Sequence, residues 1–299
     1  NTYLLMNYSA EHLVPQLKAL ADPARLRIVM LCAQGECSVS ELTRILGLSQ
    51  PRVSQHLKQL CDVGLLERFR DGHFVYYRVM SGGRHAALRR KLLALVPADD
   101  QSFAADIGRL RELRDTGITN TDEHGAVSRR LHRALVELTV AEPIGDLVDI
   151  GCGHGRILKL LASRARRAVG VDIDSDARLF ARAELLLAGL PNCTLRQGDM
   201  YRLPLGDGEF DTAILDDVLF DAVRPGDAIA EAVRVLRPGG RLLLLAASGQ
   251  REFDDHAARL ASWCAGSDLR LARARPIPSR QPEWLLAVAT KHDAATAAA

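Results

Sequence analysis

Three glycines in five positions, Gly151-Cys-Gly-His-Gly155, separate a short apolar run, Leu147-Val-Asp-Ile150, from the helical spacing of Ile157, Leu160 and Leu161. A strand, a tight turn and a helix in such short order leave few folds open. Glycine at the turn admits positive φ and lets a ligand approach the backbone closely. Further β-like runs fall at 168–172, 193–197, 211–215 and 241–246, with helical segments between them. That alternation predicts a parallel sheet with helices on both faces. Two more strand-like runs, 270–276 and 284–290, joined by a Pro-containing turn, predict a closing hairpin, with a frayed Ala-rich end beyond it.

Acidic residues stand where these strands end. Asp149 precedes the glycine turn, whose Gly-x-Gly-x-Gly spacing differs from the Gly-x-Gly-x-x-Gly of dinucleotide sites. Val169-Gly-Val-Asp-Ile173 puts Asp172 at the end of the second strand, where a carboxylate can accept both hydroxyls of a ribose. Gly198-Asp-Met200 follows the third, where a carboxylate can take an adenine amine. Taken singly, Asp172 or Asp199 reads equally as a surface or capping carboxylate. Together with Phe210-Asp-Thr-Ala-Ile-Leu215 and Val235-Leu-Arg-Pro-Gly-Gly-Arg-Leu242, the set resembles the class I S-adenosylmethionine-dependent methyltransferases over residues 140–290. The resemblance implies that Asp149, Gly151, Gly153 and Gly155 hold the methionine end of S-adenosylmethionine or S-adenosylhomocysteine, with Cys152 a small packing residue in the same loop. It implies that Asp172, with Ile173 beside it, holds the ribose, that Asp199 and Met200 flank adenine, and that Asp216 lies near the methionine end. An acceptor site is not visible. Leu215-Asp-Asp-Val-Leu-Phe-Asp221 lacks both the Asn/Asp-Pro-Pro-Tyr signature of amino-group methylation and the His pair of many small-molecule enzymes. Asp217 or Asp221 could serve as a base, and helix capping explains them as well.

The first hundred residues follow another pattern. Leu13, Leu17 and Leu20 form an apolar stripe, Asp22-Pro23 opens a second helix, and Ser38 to Leu46 reads as a third, closed by Gly47. Ser49-Gln-Pro-Arg-Val-Ser-Gln-His-Leu-Lys-Gln-Leu60 predicts a fourth helix, capped by Ser49, with Val53, Leu57 and Leu60 turned inward. Gln50, Arg52, Ser54, Gln55, His56 and Lys58 remain for its outer face, and these are groups that read base edges or hold phosphates. Runs 65–70 and 74–79 around Asp71-Gly72 predict a hairpin wing carrying Arg70 and His73, and 84–96 returns to helical spacing. Turn, helix and wing make a winged helix-turn-helix. Residues 10–95 resemble the ArsR family of winged-helix repressors, through Leu17-Lys-Ala-Leu-Ala-Asp-Pro-Ala-Arg-Leu-Arg-Ile28, the 49–60 segment, Gly64-Leu-Leu66 and the wing. The resemblance implies a homodimer paired through the first and last helices of the module, on palindromic operator DNA. Metal-sensing members carry Cys-Val-Cys just before the helix-turn-helix, whereas this chain has Ser38-Val-Ser40. Hydroxyls are poor ligands for soft metals, so we expect no metal, and a signal that arrives from the second domain. The lone His85 reads as a surface residue, and Cys32 and Cys61 as core thiols before a redox pair.

Charge and cysteine usage agree. Residues 1–100 hold 13 Lys and Arg against 9 Asp and Glu, and the remainder holds 26 against 28, so the basic excess sits with the DNA-reading pattern. The six cysteines form no Cys-x-x-Cys pair, the longest apolar runs are too short for a bilayer, and the first residues show no leader pattern. We therefore expect a cytoplasmic protein without a membrane partner. Two domains are expected: an N-terminal winged helix-turn-helix over 1–98, mainly α with a β-hairpin wing, and a C-terminal α/β Rossmann-like methyltransferase fold over 143–292. Residues 99–142, charged and mostly helical with a break at 117–120, read as a linker or lid. The function expected is a transcriptional regulator that senses an adenosyl ligand, akin to S-adenosylhomocysteine-responsive regulators of the methionine cycle; the alternative is an active methyltransferase of a small molecule with an autoregulatory DNA-binding domain. A cofactor domain kept only for structure is a third.

Overall fold

The computed structural model describes residues 10–71, 74–80, 86–96, 100–115, 129–249, 251–272, 274–280 and 282–293. Outside them lie Gly72 and His73 of the expected wing tip, His85, residues 97–99, the break expected at 117–120 and the Ala-rich end. The chain divides into two compact units, Asn1–Thr119 and Asn120–Ala299.

The first unit runs α1 (Ala10–Leu20), α2 (Pro23–Cys32), β1 (Cys37–Ser38), α3 (Val39–Leu46), α4 (Gln50–Asp62), β2 (Leu66–Asp71), β3 (Phe74–Val79), α5 (Ala86–Leu93) and α6 (Gln101–Asp115). Asp22 caps α2 by accepting the Arg25 amide. Ser38 and Glu41 form a capping box at α3, and Gly47 closes that helix in the left-handed region (φ 66°). Ser49 stands at the N-cap of α4 but its side chain makes no cap bond. Pro51, in the first turn, has no amide hydrogen to offer it. Strands β1, β3 and β2 form an antiparallel sheet in that order. Ile28, Leu31, Leu42, Leu57, Leu60, Leu65 and Leu66 are almost wholly buried and form the core. The stripe read on α1 is rotated: Gln16 and Ala19 are buried while Val14 and Leu17 are each 44% exposed. Gln16 donates to the Val63 carbonyl at 3.2 Å, so a polar residue takes the inward position.

The second unit opens with α7 (Arg129–Ala141) and continues β4 (Asp146–Ile150), α8 (Arg156–Leu161), β5 (Arg167–Asp172), α9 (Ser175–Leu187), β6 (Cys193–Gln197), β7 (Phe210–Asp216), α10 (Pro225–Val235), β8 (Leu236–Ala247), α11 (Phe253–Cys264), β9 (Leu269–Leu271), β10 (Arg275–Ile277) and β11 (Trp284–Lys291). The sheet order is β10-β11-β8-β7-β4-β5-β6. The β6-β5-β4-β7-β8 pairs are parallel, and β11 adds antiparallel to β8. The closing hairpin forms with its first arm split: β10 and β9 both pair with β11, at Leu285 and Thr290 respectively. One apolar layer packs Phe210, Leu215, Ile229 and Leu244. The other packs Leu135, Ile157, Leu161 and Ile214, bringing α7 and α8 onto the sheet. In an open α/β sheet the chain-reversal point is at the carboxyl end of the central strand, here β4, flanked by β5 and β7.

Candidate cofactor site and nucleic-acid interface

The glycine turn leaves β4 and is tied to its neighbours. The Gly151 and Cys152 amides donate to the Val171 carbonyl at 2.7 and 3.1 Å, and the Gly153 amide donates to Asp172 Oδ2 at 2.7 Å. All three glycines have positive φ (72°, 50° and 77°). Cys152 is buried, and its Sγ fills the space a Cβ on Gly170 would need.

Asp149 is 1% exposed. Its Oδ1 has no hydrogen-bond partner among the described residues. Burial, then the nearby Asp216 carboxylate, pushes its carboxyl well above the usual range, against the pull of Arg156. An unsatisfied buried acceptor costs free energy unless something supplies a donor or charge. Asp216 is already engaged: Arg156 Nη2 lies 2.8 and 2.6 Å from its two oxygens, and the guanidinium stacks 4.6 Å from the Trp284 ring. Burial raises the Asp216 carboxyl and Arg156 opposes the rise. Asp172 Oδ1 accepts the Asp174 amide at 2.9 Å, leaving lone pairs on a half-buried carboxylate at the end of β5. Ile173 is 68% exposed, an apolar surface beside that carboxylate. The Gly198 amide donates to the Asp172 carbonyl at 3.0 Å and so brings the 198–200 turn to the same edge. Asp199 there is exposed and accepts the Tyr201 amide, and Met200 is half-buried.

The ends of β4, β5 and β6 thus gather Asp149, Asp172, Ile173, Asp199 and Met200 around the glycine turn. A cationic, hydroxyl-rich adenosyl group fits this donor set: a buried acceptor without a donor, a carboxylate for diols, and an apolar ledge for a base. Such a group, when bound as S-adenosylmethionine, supplies an electrophilic methyl. Sequence reasoning left out Arg156, Val218 and His154. Val218 Cγ1 lies 2.7 Å from where a Cβ on Gly151 would stand, so the 216–222 segment closes over the turn. Asp217 is the only non-glycine residue with positive φ (58°) among the described residues, held by donation from the Ala247 amide at 2.9 Å. The His154 and Phe180 rings lie 4.5 Å apart, tilted by 39°. Arg156 directly follows the third glycine, a position the motif itself displays, but its partner lies 60 residues away.

In the first unit, Val53, Leu57 and Leu60 are the buried residues of α4. Gln50, Arg52, Ser54, Gln55 and Lys58 are exposed on it, and Arg70 is exposed on β2. His56 differs from these: it is half-buried, and its Nδ1 is buried without a hydrogen-bond partner among the described residues. Arg25 braces α4 from behind by donating to Gln59 Oε1 at 3.0 Å. All six cysteines are free thiols; Cys61 is half-buried and the others are buried. No helix among the described residues is long and apolar enough to cross a membrane.

A helix-turn-helix with a β wing on one unit, and a methyltransferase-type sheet with a glycine turn on the other, define a winged-helix domain joined to a methyltransferase-type domain. Comparison with known proteins agrees. Residues 22–68 match the bacterial regulatory protein arsR family, and residues 148–244 match a methyltransferase domain family. The arsenic resistance transcriptional regulator ArsR1 of Pseudomonas putida is 49% identical over 101 residues, which are 32% of this chain and 75% of that protein. The chain belongs to the arsR family and carries a methyltransferase domain as well. An uncharacterized 37.1 kDa protein in transposon Tn4556 of Streptomyces fradiae is 38% identical over 130 residues, 42% of this chain and 36% of that protein. A Mycolicibacterium smegmatis protein named for S-adenosylmethionine-dependent methyl transfer is 33% identical over 99 residues, 33% of this chain and 37% of its own length. The chain therefore spans little more than a third of the length of these last two relatives.

Proposed function

We propose that this protein is a transcriptional regulator whose winged helix binds operator DNA and whose methyltransferase-type domain senses S-adenosylmethionine or S-adenosylhomocysteine. The observation that carries the reading is at the N-terminus of α3. Ser38 and Ser40 stand where metal-sensing members hold thiolates, and Ser38 is spent in the capping box with Glu41. The input left to the chain is the glycine-turn site, where Asp149 Oδ1 lacks a donor. Asp149, Gly151, Gly153 and Gly155 would take the methionine end, Asp172 and Ile173 the ribose, and Asp199 with Met200 the adenine. Asp216 would act through Arg156, whose guanidinium it orients. Gln50, Arg52, Ser54, Gln55 and Lys58 would face DNA, with His56 at the edge of that face and Arg70 and His73 from the wing. The exposed Val14 and Leu17 of α1 support pairing of two copies through the first and last helices of the module.

Ligand and DNA binding must then be linked reciprocally. Calorimetric titration of S-adenosylhomocysteine into the protein, alone and saturated with an operator duplex, should give two different affinities. Equal affinities would remove the reading.

One observation favours methyl transfer to a small molecule as the second reading. Two residues beyond Val218, the Phe220 ring lies 4.2 Å from His256, whose Nδ1 is buried without a partner among the described residues. Transfer of labelled methyl from S-adenosylmethionine to a defined acceptor would favour it.

A further inference from the structure

Helix α6 lies within the DNA-binding unit and follows the winged helix in sequence. Its buried positions are Phe103, Asp106, Leu110 and Arg114, spaced as one helical face. Half of that face is charged, and both charges are paired with the helices beneath. Arg27 of α2 grips Asp106 with two donors, Nε at 2.6 Å and Nη2 at 2.7 Å, and Arg109 adds a second ion pair to the same carboxylate. At the other end Arg114 Nε donates to Glu41 Oε1 at 2.7 Å, and its Nη2 donates to the Glu36 carbonyl at 2.5 Å. Glu41 is the capping-box residue of α3, and its other oxygen takes the Ser38 amide at 2.7 Å. Burial opposes the Glu41 charge, but Arg114 and the Ser38 donors outweigh it and hold the carboxyl below its usual range.

Two apolar residues, a buried carboxylate held by Arg27 and Arg109, and a largely buried Arg114–Glu41 pair make a contact of particular character. Buried pairs add little net stability, yet they are geometrically demanding and costly to break on one side only. A groove of about 310 Å³, lined by Leu20, Pro23, Leu26 and Phe103 among others, remains beside the first turn of α6. The docking point is also informative. Arg114 sits at the N-terminus of α3, the first helix of the helix-turn-helix, which packs Leu42, Ile45 and Leu46 inward next to α4.

We infer that α6 is the built-in effector of the DNA-binding unit: docked through Asp106–Arg27 and Arg114–Glu41, it takes the place at the α3 N-terminus that thiolate ligands take in metal sensors, and its docking and release set operator affinity. The further step, that the adenosyl ligand acts through α6, rests on the sensor reading above. α6 is the last described element of the first unit before the chain enters the second.

The test uses the full chain and a duplex selected from random sequence by the parent protein. Asp106→Asn removes the ion pairs to Arg27 and Arg109 at constant shape, Arg114→Gln removes the pair to Glu41, and Arg114→Lys keeps the charge. Amide exchange over α6, operator affinity by fluorescence anisotropy, and the change in that affinity with S-adenosylhomocysteine are measured for each. We expect faster exchange over α6 in Asp106→Asn and Arg114→Gln, with ligand-free operator affinity changed by about tenfold, the usual scale of coupling between sites. Arg114→Lys should fall between these and the parent. The response to S-adenosylhomocysteine should shrink toward no change. If Arg114→Gln fails to fold, the isosteric Asp106→Asn carries the test. Unchanged α6 exchange, or unchanged operator affinity despite faster exchange, overturns the inference. A parent that ignores S-adenosylhomocysteine while the variants shift operator affinity removes the sensor reading and leaves α6 as effector. Variants that respond to the ligand by the parent's factor remove the ligand's route through α6 and leave the sensor.

Discussion

Strand β4 carries an aspartate near each end, Asp146 and Asp149, and the two have opposite surroundings. Asp146 is surrounded by arginines: Arg166 Nε at 2.7 Å, Arg237 Nη2 at 3.1 Å and Arg167 Nε at 3.5 Å. Burial raises its carboxyl, but those three outweigh burial and bring it down to about 2. Asp149, three residues on and deeper, has one oxygen without a partner and is pushed well up by burial and by Asp216. The sheet's amino edge is saturated with ion pairs and the carboxyl edge is not. The saturated end holds the structure together, and the end with the unsatisfied carboxylate is the one to which the proposed function assigns the ligand. The first unit repeats the lesson. Arg27 and Arg114 are fixed to carboxylates where α6 docks, Asp106 on α6 and Glu41 beneath it, whereas Arg52 and Lys58 stand exposed on α4 with no ion pair among the described residues.

Asp149→Asn presses the comparison hardest. The ligand-free protein should become more stable at neutral pH, because the fold no longer has to retain a proton that the unfolded chain would release, while adenosyl-ligand affinity should fall about 100-fold with loss of a charge-assisted contact worth about 2–3 kcal/mol. Thermal melts and calorimetry measure the two sides, and a variant that loses stability would put Asp149 in the same class as Asp146. The raised carboxyl also gives a pH sign. The native state holds a proton that the unfolded chain releases, so its contribution to stability falls as pH rises above the ordinary carboxylate range, and ligand affinity rises over the same window. Loss of ligand affinity with rising pH would contradict this.

Asp172→Ala should weaken S-adenosylhomocysteine binding by about 10- to 100-fold through loss of two hydroxyl acceptors, with ligand-free DNA binding intact. Equal ligand affinity in variant and parent would refute the ribose assignment. Asp146→Asn should cost about 1–2 kcal/mol, discounted because Arg166 is 67% exposed in side chain, with ligand affinity unchanged. Its contribution is present above the usual carboxylate range and is lost as pH falls toward about 2, which acid unfolding of parent and variant will compare. The smallest effect is at α4. Arg52→Ala should weaken operator binding by about tenfold or less and reduce the salt slope by about one if it holds a phosphate. Unchanged affinity at every salt concentration would move the reading face elsewhere.

Local patterns carried much of this into the sequence. The glycine turn, the strand-end carboxylates, the Asp22 cap and the inward Val53, Leu57 and Leu60 all depend on spacing within a turn or two, and spacing is visible in one dimension. What escaped depends on pairs distant in the chain. Arg156 meets Asp216 across 60 residues, and α6 docks through pairs 73 and 79 residues apart. Its buried face mixes Phe103 and Leu110 with Asp106 and Arg114, so no apolar stripe announced it. On α1 the reverse held: the leucine stripe was plain, but Gln16 found a carbonyl partner and took the inner position.

The central claim is that an adenosyl ligand at the glycine turn changes DNA binding by the winged helix. Its most direct test is fluorescence anisotropy of a labelled operator duplex bound by the full chain, titrated separately with S-adenosylmethionine and S-adenosylhomocysteine. The account predicts a change in operator affinity, unequal for the two ligands. No change with either, while calorimetry records their binding, would contradict it.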